Sequence, residues 1–515
     1  MIFIMIYWKK TDMILKIKRK IIRKIFSYFF KRKKFKTIVR LSDKYMLNTE
    51  GYWTAQQLLN RGYLNNASEV IKNVSYKKEF DTLIRRIESM IEIRDNGLKI
   101  NKIQKKNITH INALFCVHNS LPYDKAGYAI RTEHIVNTLK KQGLTFKVVT
   151  RPGYPWDLKK HRENLHKGVY DELNDIDYIR LEDSEKKFKR GVDTDYINMY
   201  AYELEKVAIQ NDTSVIHAHS NYFNALSAIE AANRLKIPSV YEVRGLWHMT
   251  RLTLDANYRY AGMFTYEEAM EIGAMHASDA VVTISQSLKS LIVSWGINAS
   301  KIHIIPNTID TTHFIPMRRS EKLVEKYKLE GKTVIGFIGT LSNYEGLKEL
   351  ICAVDELIEE GLNIVLMIVG DGREKENLEN SAKSEHIIFT GRVAFEEVKE
   401  YYTLLDICPF PRNNVEICQY VPPLKILEAM AMEKAVIVSN VVPLCEIIDD
   451  GVNGLVCETD NVESLKEKIV QLHHDISLRE TLGKNSRVWV GENRSLEDMS
   501  LRYMALYNSF KDDHV

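Results

Sequence analysis

The chain has no Cys-x-x-Cys pair; its six cysteines, Cys116, Cys352, Cys408, Cys418, Cys445 and Cys457, are scattered and lie mostly in apolar runs. That spacing argues against a zinc site and reads as reduced core thiols in a cytosolic protein. No apolar run approaches the ~18 residues needed to span a bilayer. The opening Met1–Trp8 is too short for the apolar region of a signal peptide and precedes its charges instead of following them. Acid is almost missing from the start of the chain: residues 1–40 carry fourteen Lys/Arg against one acidic residue, Asp12. Because the whole chain is only +4 at pH 7, the remainder is net acidic by nine.

What is present at that end is a basic stretch interleaved with Ile, Leu and Phe, from Met13 to Phe30. Such a pattern fits an amphipathic helix lying on an anionic inner leaflet, each basic residue contributing roughly 1 kcal/mol near the surface. A solvated basic tail and a nucleic-acid arm are the competing readings; the aromatic interleaving favours membrane over nucleic acid. Residues 9–40 are therefore expected to place the protein on the inner face of the cell membrane, as a cytoplasmic peripheral protein.

At 515 residues the chain exceeds one ordinary core, so two main domains plus an extension are expected. Residues 41–107 read as a small helical hairpin with a turn near Gly62, a single pair and not a repeat array. From Ile111 apolar runs alternate with helical stretches: Asn112–Val117, Phe146–Thr150, Ser214–Ala218, Ser239–Val243 and Ala280–Ile284. A second series follows in Val334–Gly339, Ile364–Val369, Ile387–Thr390, Asp406–Phe410 and Ala435–Ser439. The fold class is α/β, two doubly wound Rossmann-like domains facing a cleft, with ligands at the carboxyl ends of the strands. The predicted limits are 1–40 for the basic segment, 41–107 for the helical extension, 108–312 and 313–490 for the two domains, and 491–515 for a C-terminal helix.

The most informative segment is Pro422–Met432, which sets Lys425 and Glu428 three apart at the start of an apolar helix. Prolines in the first turn cost that helix no hydrogen bond, and its free N–H groups attract anions. A cation there with an acceptor one turn on suits a phosphate joined to a ribose; an ordinary surface i,i+3 pair is the plainer alternative. Phe410-Pro411-Arg412 places an arginine near this helix, able to clamp a phosphate bidentately with Lys425. Glycine turns follow strands at Gly339-Thr340 and at Val369-Gly370-Asp371-Gly372, and Gly127 opens a helix after the first strand. His219, at a strand end, is the better placed of His217 and His219 to meet a ligand. Glu242 and Arg244 share one face at the end of another strand. Two Asp-x-Asp matches, Asp175–Asp177 and Asp193–Asp195, do not end apolar strands, and no metal is expected.

Taken in order, Asn119–Arg131, His217–His219, Ile304–Phe314, Gly336–Gly339, Val369–Gly372, Leu427–Ala431 and Glu446–Val456 resemble the retaining glycosyltransferases of family four, of GT-B fold. The match runs over roughly 111–510. The resemblance implies a metal-independent, cofactor-free hexosyltransferase that holds a nucleotide sugar, UDP-linked by analogy, on the C-terminal domain. A glycan or lipid-linked acceptor would sit on the N-terminal domain, in cell-surface polysaccharide or glycolipid synthesis. The final helix would cross back onto the first domain. The family's roles, carried over by position, put His219 near the reacting centre, Gly127 against the donor phosphates and Glu428 on the ribose as the second glutamate of Glu-x7-Glu. Tyr420 stands where the first glutamate belongs, with Glu416 as a displaced candidate. Thr340 and Glu345 replace the cations that flank the glycine turn. The expected catalytic set is thus His219, Arg412, Lys425, Glu242 and Arg244, and the donor-binding set Gly127, Gly339, Thr340, Gly372, Arg412, Lys425 and Glu428. The two departures leave a catalytically inactive relative, binding a sugar nucleotide or a partner, as the alternative.

Overall fold

Two runs of buried strands separated by helices build two parallel sheets. In the computed structural model the described residues are 48–511, except 74–77, 102, 125, 159–160, 162–169 and 183–190, with scattered residues between 20 and 39. Most of the basic amphipathic segment expected over residues 9–40 lies outside the described residues.

The first sheet contains β1 (Asn112–Val117), β2 (Thr145–Thr150), β3 (Tyr170–Leu173), β4 (Ile176–Arg180), β5 (Val215–His219), β6 (Ser239–Val243), β7 (Ala280–Thr283) and β8 (Ile302–Ile304). Their order is β3-β4-β2-β1-β5-β6-β7-β8, parallel except for β3 against β4. The second contains β9 (Thr333–Ile338), β10 (Ile364–Val369), β11 (Ile387–Gly391), β12 (Ile407–Phe410), β13 (Ala435–Ser439) and β14 (Leu455–Cys457), in the order β11-β10-β9-β12-β13-β14, all parallel. Strands β5, β6, β7, β10 and β13 are buried at every residue, as a sheet covered on both faces requires.

The winding reverses between β1 and β5 in one sheet and between β9 and β12 in the other. These reversals open crevices beyond the carboxyl ends of the strands, where doubly wound sheets bind ligands. The segments that leave those ends carry Gly127, Gly339 and Arg412. The Leu496–Asn508 helix crosses back from the second domain and packs on the Gly127–Lys141 helix. Its Met499, Tyr503, Leu506 and Tyr507 share a core with Phe115 and Val148 of the first sheet.

Among its described residues the helical extension shows three helices, Asn48–Asn60, Leu64–Lys72 and Asp81–Asn96, one more than the hairpin the sequence suggested. Gly62 turns between the first two with φ +87°. The third packs on the Met263–Ala277 helix, and Arg86 meets Asp193 at 3.3 Å. The other Asp-x-Asp carboxylates are likewise paired: Asp195 with Arg85, Asp175 with Lys140 and Asp177 with Lys147.

Candidate active site

A cleft of about 780 Å³ lies between the two sheets' carboxyl ends, within the size range of small-molecule sites. One wall comes from the Gly127–Lys141 helix, Arg244 and the segment Asn307–Asp310; the other from Gly339–Thr340, Tyr344–Glu345, Arg412 and the segment Val421–Glu428. The two walls touch at their helix starts: a Cβ at Gly127 would stand 3.0 Å from Leu424 Cδ1.

On the second wall, three charges from three different loops meet. Lys425 Nζ donates to Glu345 Oε1 at 3.0 Å, and Arg412 Nη2 donates to the same oxygen at 3.4 Å. Arg412 is fixed further by its Nη1 bond to the carbonyl of Val421 at 2.7 Å and by lying over the Tyr344 ring. The Lys425 ammonium sits 4.3 Å from the centroid of Phe337 and packs on Gly339, where a Cβ would stand 3.1 Å from Nζ. Gly346 makes this convergence possible: φ is +70°, and a Cβ would fall 1.7 Å from the carbonyl oxygen of Pro411. Burial alone would push the Glu345 carboxyl up, but Lys425 and Arg412 outweigh it and hold the group below its ordinary range. Burial also lowers Lys425, an effect that Glu345 opposes. One turn on, Tyr402 Oη donates to Glu428 Oε2 at 3.0 Å, while burial raises the Glu428 carboxyl.

Behind the first wall lies a second network, closed to solvent. Glu242 Oε1 accepts from Arg131 Nε at 2.9 Å and from Arg244 Nε at 2.7 Å; Oε2 accepts from Tyr503 Oη at 2.6 Å. The two guanidinium groups overcome burial and keep Glu242 well below the usual carboxylate range. His219 Nδ1 accepts from Arg244 Nη2 at 2.7 Å, and His217 Nδ1 and Tyr507 Oη share a hydrogen bond of 2.6 Å. Because a guanidinium only donates, the neutral His219 ring carries its proton on Nε2, 3.9 Å from Glu242 Oε2, and His217 Nε2 lies 3.3 Å from the same oxygen. Burial holds both imidazoles neutral at physiological pH. Among the described residues these three side chains are the group close enough to hold a metal ion. Guanidinium groups already hold Glu242 Oε1 and His219 Nδ1, and their two charges would repel a further cation placed there. Arg131 extends the network to the interdomain segment, donating to the carbonyls of Ile305 and Pro306 at 2.8 Å each.

Of the residues singled out in the sequence, Gly127, Gly339, Thr340, Arg244, Arg412, Lys425 and Glu428 come together on the cleft. His219 and Glu242 do not line it: both are 0 % exposed, so the alternation argument that left His219 facing a ligand fails, because helices cover both faces of β5. Gly372 packs against the backbone of the glycine turn, a Cβ there falling 2.2 Å from the Leu341 carbonyl oxygen, and supports the wall from behind. Glu416, the displaced-glutamate candidate, pairs with Arg259 across the domains and is absent from the cleft lining. The sequence reading passed over Tyr402, Tyr503 and the structural role of Arg131. Only Arg131 carried a local signal, one turn into the helix opened by Gly127; the tyrosines reach the site from distant helices.

The chain that carries this arrangement, a cation pair and a buried carboxylate on one domain facing a glycine-opened helix on the other, is a glycosyltransferase of GT-B fold. Residues 126–313 match the model described as Glycosyltransferase Family 4, and residues 319–489 the model described as Glycosyl transferases group 1. The capsular polysaccharide biosynthesis glycosyltransferase CapM of Staphylococcus aureus is 27 % identical, over 53 % of this chain and 70 % of that protein. The sucrose-phosphate synthase of Thermosynechococcus elongatus superposes with a TM-score of 0.63 at 18 % identity, over 78 % of this chain and 98 % of that one. Anabaena HepE, solved with UDP and glucose, gives 0.58 at 16 % identity, over 78 % of this chain and 100 % of that one.

Proposed function

We propose that this glycosyltransferase moves a hexose from a UDP-sugar to a glycan or lipid-linked acceptor of a cell-surface polysaccharide, with retention of anomeric configuration and without metal or cofactor. The observation that carries this reading is the convergence of Arg412 and Lys425 beside the Glu428–Tyr402 pair, on the wall facing Gly127. Two cations suit the leaving diphosphate, and a carboxylate one helical turn on suits the ribose hydroxyls. UDP in the HepE structure and the capsular role in the name of CapM support the base and the acceptor class.

In the proposed reaction the acceptor hydroxyl attacks the anomeric carbon from the face the diphosphate leaves. Charge that builds on the leaving oxygen is met by Arg412, Lys425 and the Gly339–Thr340 turn, preorganised before the donor arrives. Arg244 reaches the cleft from the other domain, and His219, with Glu242, acts through it: Nδ1 of His219 and Oε1 of Glu242 fix the guanidinium from behind.

Thermal unfolding with UDP, GDP and ADP tests the reading. At about a hundred times its dissociation constant, a ligand stabilises the folded state by about 2.7 kcal/mol. The expected result is a shift with UDP that disappears in Glu428→Ala. No shift with any nucleotide in a folded sample would favour the inactive-relative alternative, and a shift with GDP alone would correct the base.

A further inference from the structure

We propose that Glu345 is a built-in counter-anion of the donor site, one that orients Arg412 and Lys425 and weakens the grip on the diphosphate enough for the nucleotide to leave. The proposal rests on the donor-site reading of that cation pair. Glu345 is 3 % exposed, lines the cleft, and spends one oxygen, Oε1, on both cations, while Oε2 meets no hydrogen-bond partner among the described residues. Here the half-free group stands among the charges that a diphosphate must also approach.

The charge inventory gives the consequence. Arg412, Lys425 and ionised Glu345 sum to one positive charge in a site largely removed from water, where each unit charge weighs several-fold more than in bulk solvent. A diphosphate entering this site is attracted by the two cations and repelled by Glu345, the carboxylate bonded to both of them. Without the anion the pair would bind more tightly, but each long side chain would lose the acceptor that directs it. Glutamine in place of Glu345 separates the two effects, since its carbonyl still accepts from Lys425 and Arg412 while the charge is gone.

The test titrates the full chain calorimetrically with UDP and with inorganic pyrophosphate, which probes the cation pair independently of the base. Glu345→Gln is expected to bind both at least about tenfold more tightly than the unsubstituted protein, and to show a lower KM for the donor without a rise in kcat. The double variant Glu345→Gln/Lys425→Met restores the net charge and is expected to return pyrophosphate affinity to within about threefold of the starting value; it also serves if the single variant does not fold. Unchanged or weaker binding in Glu345→Gln, as a purely structural role would give, overturns the proposal, as does a loss well beyond about threefold in the double variant should the single one not fold. Lys425→Ala keeps the two readings apart: if it leaves pyrophosphate binding intact, the cation-pair reading has failed. If it weakens binding while Glu345→Gln fails to tighten it, only the counter-anion proposal falls.

Discussion

Lys425 is the cation of the proposed donor-site pair whose truncation tests that reading. Its partner Glu345 keeps Arg412, and its aliphatic stem packs between Phe337 and Gly339 without bearing other elements. Removing one preorganised donor from a developing negative charge costs about 3 kcal/mol, roughly a hundredfold in turnover. Lys425→Ala is therefore expected to lower kcat on the order of a hundredfold with an unchanged circular-dichroism spectrum and only a small change in Tm. Near-normal turnover would remove Lys425 from the clamp. The signal for this residue was local, since Lys425 and Glu428 share the face of a single helical turn. Glu345 shows the limit of such reading: as a substitution in a glycine turn it looked like a lost cation, and only the fold brings it onto Lys425, eighty positions further along.

At the scale of elements, the cross-back helix Leu496–Asn508 completes the buried network of the first domain. Tyr503 Oη donates to Glu242 Oε2 and accepts from Arg131 Nη2 at 3.2 Å, so the helix is tied to the charges that hold the interdomain segment. Hydrogen bonds to charged groups contribute about 1.5–3 kcal/mol, and the carboxylate left behind is buried. Tyr503→Phe is expected to lower the unfolding free energy by about 2 kcal/mol in urea titrations with an unchanged m-value. A loss below about 0.5 kcal/mol, the range of an ordinary surface change, would mean that apolar packing alone docks the helix. Strands were the most legible elements: Asn112–Val117, Ser239–Val243, Ile364–Val369 and Ala435–Ser439 stand in the structure as their apolar runs delimit them. The antiparallel edge pair β3–β4 was not legible, because Asp171, Glu172 and Asp177 break its apolar pattern. The depth of β5 was hidden too. Histidines at alternate positions suggest an exposed face, whereas the helix Tyr222–Leu235 packs on the strand it follows, and the Tyr503 and Tyr507 rings come from almost three hundred positions away.

For the whole molecule the uneven charge sets up a test of attraction to an anionic surface. No described helix is long and apolar enough to cross a membrane. Fourteen basic residues precede an acidic remainder, so an anionic surface would attract the first forty residues and repel the rest. The end of that segment is held in place: Ile38 and Val39 are 0 % and 4 % exposed in the core shared with the helical extension, and Arg23 lies 5.5 Å from the Trp53 ring centroid. A surface that captured the segment would thus hold the catalytic body close by. We expect the full chain to co-sediment with vesicles containing anionic phospholipid and not with neutral ones, and the binding to weaken steeply between low and physiological salt. Removing residues 1–34, which spares Ile38 and Val39, should abolish co-sedimentation and leave the UDP-induced thermal shift intact. Equal binding to neutral and anionic vesicles would replace the electrostatic account with a purely apolar one. Efficient competition by duplex DNA at the same salt would show that the segment reads polyanions in general, since interleaved Ile, Leu and Phe add affinity only where there is an acyl layer to receive them.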